Sequence, residues 1–260
     1  MEKDHELGGW TMIWLRSLLF NIWFFAATLA MGLLGVLVRW FAPRHALWVA
    51  QSWAGLVLAG AAAICRIRIE VIGREHLPTQ GAALIASQHQ SAFDTLIWLR
   101  LVPRVAYVFK AELARIPLFG SLLVPAGQIP VDRGASFSAV RSLLRGADRA
   151  KADGRQIVIF PEGTRVAPGI EAELRPGIAA LAARTGLPVI PVATDSGQRW
   201  GRRAFRKTPG VIHIAVGLPI PAGLSQTVLI ATVRERWREA ETMGNLVDKS
   251  VHKDRMLPPE

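Results

Sequence analysis

The pattern of hydrophobic and polar positions changes at about residue 66. Before that point, residues 17–38 and 45–65 contain no Asp, Glu, Lys or Arg. Each stretch is close to the roughly 20 residues that a helix needs to cross a bilayer. We therefore predict that residues 1–65 form an N-terminal helical hairpin that attaches the chain to a membrane. A helical pair buried in a soluble core is the alternative.

The arginines between the two stretches bear on topology. A hairpin that spans the bilayer twice would place Arg39 and Arg44 on the far side, against the positive-inside rule. A hairpin that dips into one leaflet would keep all the arginines on one side. Both arrangements leave the rest of the chain on the cytoplasmic face. We expect a protein of the inner (cytoplasmic) membrane whose residues 66–260 face the cytoplasm.

Strand and helix patterns alternate through residues 66–243. Residues 66–71 alternate with period two, as in a strand with one solvated face. Helical spacing of apolar residues separates the further strand candidates, which are residues 82–86, 105–109, 128–131, 156–160, 188–192 and 211–216. This order predicts an α/β domain over residues 66–243, with a mainly parallel or mixed central sheet flanked by helices. Residues 244–260 read as a polar C-terminal tail.

The strongly positive net charge of the chain limits the kinds of partner that it can bind. The net charge is +11, so we expect an anionic partner, and nucleic acid, anionic lipid headgroups and phosphorylated substrates all qualify. Residues 199–207 hold five cations and two aromatic side chains, a composition that suits a headgroup layer or a single-stranded nucleic acid. The single cysteine, Cys65, excludes an intramolecular disulfide.

His89 and Asp94 lie where the apolar strand candidate at residues 82–86 gives way to a helix. Strand-to-helix turns expose reactive side chains in α/β sheets. A histidine can accept a proton near neutral pH, and a carboxylate on its other nitrogen fixes the tautomer and stabilises the imidazolium. The alternative is a structural histidine beside a helix-capping aspartate.

A second candidate turn follows the apolar strand at residues 156–160. It contains Glu162, Gly163, Thr164 and Arg165 directly after Pro161. The glycine lets the backbone approach a ligand, the hydroxyl and turn N–H groups can donate, and the guanidinium can bind a phosphate with two hydrogen bonds. The alternative is an ordinary turn with a surface Arg–Glu pair.

Taken in order, these blocks resemble the glycerolipid acyltransferases, and more narrowly the bacterial 1-acylglycerol-3-phosphate acyltransferases. Residues 110–120 with 127–133 look like that family's second block, and residues 187–192 look like its fourth. The resemblance covers about residues 66–220. It departs at Val166, where a small polar residue is usual, and at Arg175, where a lysine is common. Both departures bear on acceptor preference rather than on the reaction.

The resemblance implies transfer of a fatty acyl group from a thioester to the sn-2 hydroxyl of 1-acylglycerol 3-phosphate, giving phosphatidic acid without a covalent acyl-enzyme. His89 would be the general base and Asp94 would orient it. Lys110, Arg133 and Arg165 would hold the phosphate. The turn containing Glu162, Gly163 and Thr164 would organise that pocket. The absence of a Gly-x-Ser-x-Gly motif from the sequence agrees with direct transfer.

We expect no cofactor beyond the co-substrate, which is acyl-CoA or acyl-acyl carrier protein. No His-Glu-x-x-His motif occurs, so we expect no metal site. The expected partners are the lysophospholipid acceptor, the acyl donor and anionic membrane lipids. One alternative is an O-acyltransferase that acts on another lysolipid, such as a lyso-ornithine lipid. The other is a membrane-anchored basic nucleic-acid-binding protein; it would leave the two candidate turns unexplained, so we expect no nucleic acid.

Overall fold

The structure, a computed structural model, describes residues 2–116, 120–131 and 136–243. The predicted C-terminal tail and Arg133 lie outside this range. The chain begins with two helices, α1 (Glu2–Phe41) and α2 (Ala46–Cys65), joined by a 3₁₀ turn at Pro43–His45. These helices form the N-terminal pair that the sequence predicts.

Helix α1 presents much of its apolar surface to the outside. In the apolar 18-residue stretch of α1, only 11% of the residues are buried, against 33% in the corresponding stretch of α2. The Phe25 side chain is 67% exposed. Both helices are long and apolar enough to cross a membrane. A helix buried in a soluble core would hide such residues, so this exposure opposes the soluble-core alternative for α1.

The described residues form a seven-stranded sheet in the order β1-β7-β6-β2-β5-β3-β4. Neighbouring strands are parallel except β6 and β7, which are antiparallel. The strands are β1 (Ile67–Ile72), β2 (Ala83–Ser87), β3 (Val105–Lys110), β4 (Ile129–Val131), β5 (Gln156–Ile159), β6 (Val189–Thr194) and β7 (Gly210–Val216). The predicted mixed, mainly parallel α/β sheet is therefore confirmed.

Helices cover both faces of the sheet. Ile85 and Val158 are buried on the face that carries α1, α2 and α3, whereas Leu84 and Ile157 are buried on the face that carries α5, α6 and α8. Side chains on a strand alternate between faces, so both layers draw on the same strands. The remaining helices are α3 (Phe93–Leu101), α4 (Gly120–Leu123), α5 (Ser136–Ala152), α6 (Gly177–Thr185), α7 (Ser196–Arg199) and α8 (Gln226–Met243), with 3₁₀ turns at Arg74–His76 and Ala111–Arg115.

The parallel strands β2, β3, β5 and β6 end at a common edge of the sheet. Ala86 of β2 pairs with Ile159 of β5 and with Pro191 of β6. The segments that follow these three strands are therefore neighbours in space. Both candidate turns of the sequence leave the sheet at this edge.

Candidate active site

The turns after β2 and β5 are joined by hydrogen bonds to the main chain of His89. Its N–H donates to Oε2 of Glu162 at 2.7 Å, and its carbonyl accepts the N–H of Val166 at 2.7 Å. Both polar main-chain groups of His89 are thus held by the Glu162–Val166 turn. The two motifs that the sequence singles out form one site.

The His89 and Asp94 side chains contact each other across the turn into α3. Nδ1 of His89 lies 3.1 Å from Oδ2 of Asp94, and the Asp94 side chain is 2% exposed. The same oxygen accepts the main-chain N–H groups of Gln90 and Ser91 at 2.7 Å each. Asp94 therefore binds the turn before α3 and the imidazole at once. These bonds fix the turn and do not cap α3, whose N-cap residue is Ala92. The catalytic role of the carboxylate stays a prediction.

Ser196 completes the environment of that carboxylate. It is fully buried at the start of α7, just after β6, and its Oγ donates to Oδ1 of Asp94 at 2.6 Å. Both carboxylate oxygens are thus hydrogen-bonded. Ser196 is not among the residues that the sequence predicts for the site, because 102 positions separate it from Asp94. The available signal was its place just after a buried strand at the carboxyl edge.

The imidazole of His89 packs against an aromatic wall. Its ring stacks on Phe160 with centroids 4.1 Å apart, and Phe160 stacks in turn on Tyr107. The Tyr107 hydroxyl donates to the carbonyl of Thr95, and burial raises the pKa of Tyr107 well above its usual value. The His89 side chain is only 13% exposed. Since Asp94 occupies Nδ1, the ring nitrogen left for a ligand is Nε2.

Glu162 is a buried carboxyl group whose pKa is strongly perturbed. Burial raises the pKa of Glu162 to about 8, with smaller increases from the charges of Asp94 and Glu241 and a decrease from the His89 N–H bond. A protonated Glu162 can still accept that N–H through one oxygen. Glu162 contacts the main chain of His89 and not its ring, so Glu162 positions the imidazole through the backbone.

The raised pKa of Glu162 predicts a pH-dependent cost in stability. Between about pH 4.5 and about 8, the folded chain keeps a proton that the unfolded chain releases, so its stability falls as pH rises. The cost is up to about 1.4 kcal/mol per pH unit in that window. Glutamine accepts the same N–H without titrating. We expect Glu162→Gln to melt above the wild type near pH 9, with the gap shrinking towards pH 5.

Thermal unfolding of the detergent-solubilised protein at several pH values measures this difference. Glu239 is an exposed carboxylate on α8, and Glu239→Gln is the matched control. Its melting temperature should follow that of the wild type at every pH. Parallel curves for Glu162→Gln and wild type would contradict the expected cost.

The other predicted binding residues are only partly brought together. Gly163, Thr164 and Arg165 line a cavity beside His89, and Gly163 has φ +71°, a conformation that favours glycine. Lys110 lines the same cavity but forms an ion pair with Glu112. Arg133, the remaining predicted phosphate ligand, lies outside the described residues.

The cavity has a volume of about 1080 Å³. Such a volume lies slightly above the usual range for small-molecule sites. One part of its wall is polar and contains His89, Glu162 and Arg165, whereas much of the rest is apolar. The apolar wall includes residues of the N-terminal pair, namely Phe25, Leu29, Met31, Val49 and Trp53. In the described ranges, no three His, Cys, Asp or Glu side chains are grouped to hold a metal ion.

Comparison with known proteins gives consistent matches. The acyltransferase family model matches residues 68–195. The chain is 30% identical over 248 residues to the 1-acyl-sn-glycerol-3-phosphate acyltransferase of Pseudomonas aeruginosa, covering 95% of this chain and 96% of that protein. It is 29% identical over 157 residues to the human 1-acyl-sn-glycerol-3-phosphate acyltransferase alpha, covering 60% of this chain and 55% of the human protein.

A solved structure shares the fold. The crystal structure of the 1-acyl-sn-glycerophosphate acyltransferase PlsC from Thermotoga maritima matches with a TM-score of 0.70 and 22% identity. The match covers 86% of this chain and 95% of that one.

Proposed function

Since this chain belongs to the acyltransferase family, we propose that it transfers a fatty acyl group from an acyl thioester to the sn-2 hydroxyl of 1-acylglycerol 3-phosphate, giving phosphatidic acid. The observation that carries the proposal is the cavity. It joins the imidazole of His89, the guanidinium of Arg165 and an apolar wall within one space. 1-Acylglycerol 3-phosphate has a hydroxyl, a phosphate and an acyl chain that match these three parts.

The geometry supports general-base catalysis by His89. Nε2 would take the proton of the acceptor hydroxyl as its oxygen attacks the thioester carbonyl, while Asp94 stabilises the imidazolium. When the tetrahedral intermediate collapses, the C–S bond breaks and the imidazolium returns its proton to the departing thiolate. The reaction yields an ester and a thiol and requires no cofactor.

Direct transfer agrees with the placement of Ser91, the serine two residues after His89. Ser91 is fully buried, and its Oγ accepts the N–H of Phe93 at 3.1 Å. A serine engaged in the turn before α3 is poorly placed to carry an acyl group. We therefore assign no covalent intermediate. The thioester is carried by coenzyme A or by acyl carrier protein.

We further infer that the N-terminal hairpin dips into one leaflet on the cytoplasmic side. Near its start, α2 packs Ala46 and Val49 against Leu122 and Ala126 around α4, and near its end Ala61 packs into the cluster beneath the sheet. A helix that contacts the α/β body near both ends lies along it, which opposes a complete crossing. The exposed face of α1 remains available for lipid.

This arrangement predicts the accessibility of the turn between α1 and α2. Arg44 is exposed in that turn, and Cys65 is the single cysteine and is buried. We expect Arg44→Cys to escape a membrane-impermeant maleimide added outside intact, right-side-out vesicles. An exposed body position such as Arg206→Cys should label only in inverted vesicles. Outside labelling of Arg44→Cys would instead show that the hairpin spans the bilayer.

The acceptor assignment is tested with the purified full chain in mixed micelles. We expect phosphatidic acid to form faster from 1-acylglycerol 3-phosphate than products from lysophosphatidylcholine or lyso-ornithine lipid, with either acyl-CoA or acyl-acyl carrier protein as donor. Mass spectrometry identifies each product. A preference for lyso-ornithine lipid would replace the acceptor and keep the chemistry.

A further inference from the structure

The loop that follows α7, residues 200–207, is anchored at both ends by contacts with α1. Trp200 is buried at one end, and its ring packs on Phe20 of α1. Lys207 is 4% exposed at the other end, and its Nζ donates to Asn21 Oδ1 and to two carbonyls of the loop itself. The Lys207 ammonium also lies over the Phe20 and Trp200 rings. We call this segment the basic loop.

The cations at residues 199–207 therefore do not form one surface. Lys207 is buried, the Arg206 guanidinium lies 4.8 Å from the centre of the Trp10 ring, and Arg199 Nε donates weakly to the carbonyl of Val211. This dispersal removes the continuous platform that a single-stranded nucleic acid would need. Two cations of the group, Arg202 and Arg203, line the cavity that contains His89.

The basic loop contacts the turn after β5 directly. Nη1 of Arg202 donates to the carbonyl of Arg165 at 3.4 Å. Arg203 has φ +53°, in the left-handed region that a non-glycine residue seldom adopts. Such a conformation is strained and persists where the surroundings fix it. The loop thereby places two guanidinium groups on the wall of the cavity that includes Arg165.

The charges that line the cavity strongly favour an anion. Within the described part of the chain, its lining holds five cationic side chains and one carboxyl group, that of Glu162. Glu162 has a raised pKa and accepts the N–H of His89. Lys110 is paired with Glu112, whereas Arg165, Arg202 and Arg203 form no salt bridge with any described carboxylate. These three guanidinium groups can accommodate a doubly charged ligand.

We propose that Arg202 and Arg203 of the basic loop form, together with Arg165, the site that binds the phosphomonoester of the acceptor. This inference rests on the proposed function and assigns its acceptor specificity to a loop outside the four sequence blocks. The phosphates of a coenzyme A donor present the same chemistry, so the acceptor and the donor have to be distinguished as the source of the bound phosphate.

The position of Arg165 favours the acceptor. Arg165 directly precedes Val166, whose N–H binds the carbonyl of His89. In 1-acylglycerol 3-phosphate, the phosphate is attached to the carbon next to the one that carries the reacting hydroxyl. A phosphate bound near Arg165 would thus leave that hydroxyl near His89. The phosphates of coenzyme A are separated from the thioester by the whole pantetheine chain.

The test compares kinetic constants of Arg202→Ala and Arg203→Gly with those of wild type. Glycine accepts φ +53° readily, so Arg203→Gly removes the guanidinium and relieves strain at once. A lost charge-assisted bond predicts a rise of roughly 10- to 100-fold in the KM for 1-acylglycerol 3-phosphate in each variant. The KM for the acyl donor should change less than about threefold. The preference for 1-acylglycerol 3-phosphate over 1-acylglycerol should fall by a similar factor.

Arg206→Ala is the matched control, because it removes a cation of the same loop that lies over Trp10. It should keep both constants close to wild type. A raised donor KM with an unchanged acceptor KM would overturn the proposal in favour of donor phosphate. If all three variants lose activity equally, and the loss grows with the anionic lipid content of the micelles, the arginines contact the membrane and the proposal is overturned. If the wild type makes no phosphatidic acid, the proposed function is wrong. If the wild type is active and Arg202→Ala and Arg203→Gly both keep its kinetic constants, this inference alone is wrong.

Discussion

Replacing His89 by alanine should lower kcat by roughly 10²–10⁴-fold, the range that a general base contributes. His89→Ala removes the ring's bond to Asp94 but keeps the main-chain bonds of residue 89 that join the two turns, so we attribute the loss in kcat to the missing proton acceptor. The fold and the KM for the lysolipid should therefore change little. Steady-state kinetics in mixed micelles, together with a melting curve, measure both effects.

A second His–Asp pair in the same chain supplies the control. Nδ1 of His213 lies 2.7 Å from Oδ2 of buried Asp195, but His213 does not line the cavity. We expect His213→Ala to keep its turnover even if it loses stability. Near-normal turnover in a folded His89→Ala variant would remove the mechanism proposed above. Equal losses in both variants would point to a general structural effect.

The elements of the fold could be predicted because their signals are local. The alternation of residues 66–71 and the short apolar runs identify strands, and the carboxyl end of each run marks where a functional turn begins. The His89–Asp94 pair falls within one such turn, so sequence spacing was enough to propose their contact. Likewise, Leu229, Val233 and Trp237 of α8 lie at helical spacing and are buried.

The rest of the site depends on contacts between distant segments. Ser196 meets Asp94 only because β6 pairs with β2, and nothing in the sequence gives that strand order. Glu162 lines the cavity, but its bond to the main chain of His89 depends on the pairing of β2 with β5, which the sequence does not give. The cations at residues 199–207 look like one patch in the sequence, but the burial of Lys207 against α1 separates them.

The contacts of Asp94 predict what an asparagine would do there. Oδ2 accepts from three donors, His89 Nδ1–H and two main-chain N–H groups, so an asparagine must place its carbonyl oxygen at that point. Its NH₂ would then face the Ser196 hydroxyl, which can accept. Asp94→Asn should thus preserve the His89 tautomer and remove only the negative charge. A unit charge about 4 Å away contributes about 4 kcal/mol at an effective dielectric constant of 20, so we expect kcat to fall by up to about 10³-fold.

The matched variant is Ser196→Ala, which keeps the charge of Asp94 and removes one hydrogen bond to it. If charge is what Asp94 supplies, Ser196→Ala should lose about tenfold or less in kcat, with an unchanged acceptor KM. Each kcat is measured at saturating acceptor and donor on protein whose melting curve shows one cooperative transition. Equal losses in Asp94→Asn and Ser196→Ala would show instead that orientation of the imidazole dominates. Wild-type turnover in Asp94→Asn would contradict electrostatic stabilisation of the imidazolium, because the carboxylate that this mechanism requires would be absent.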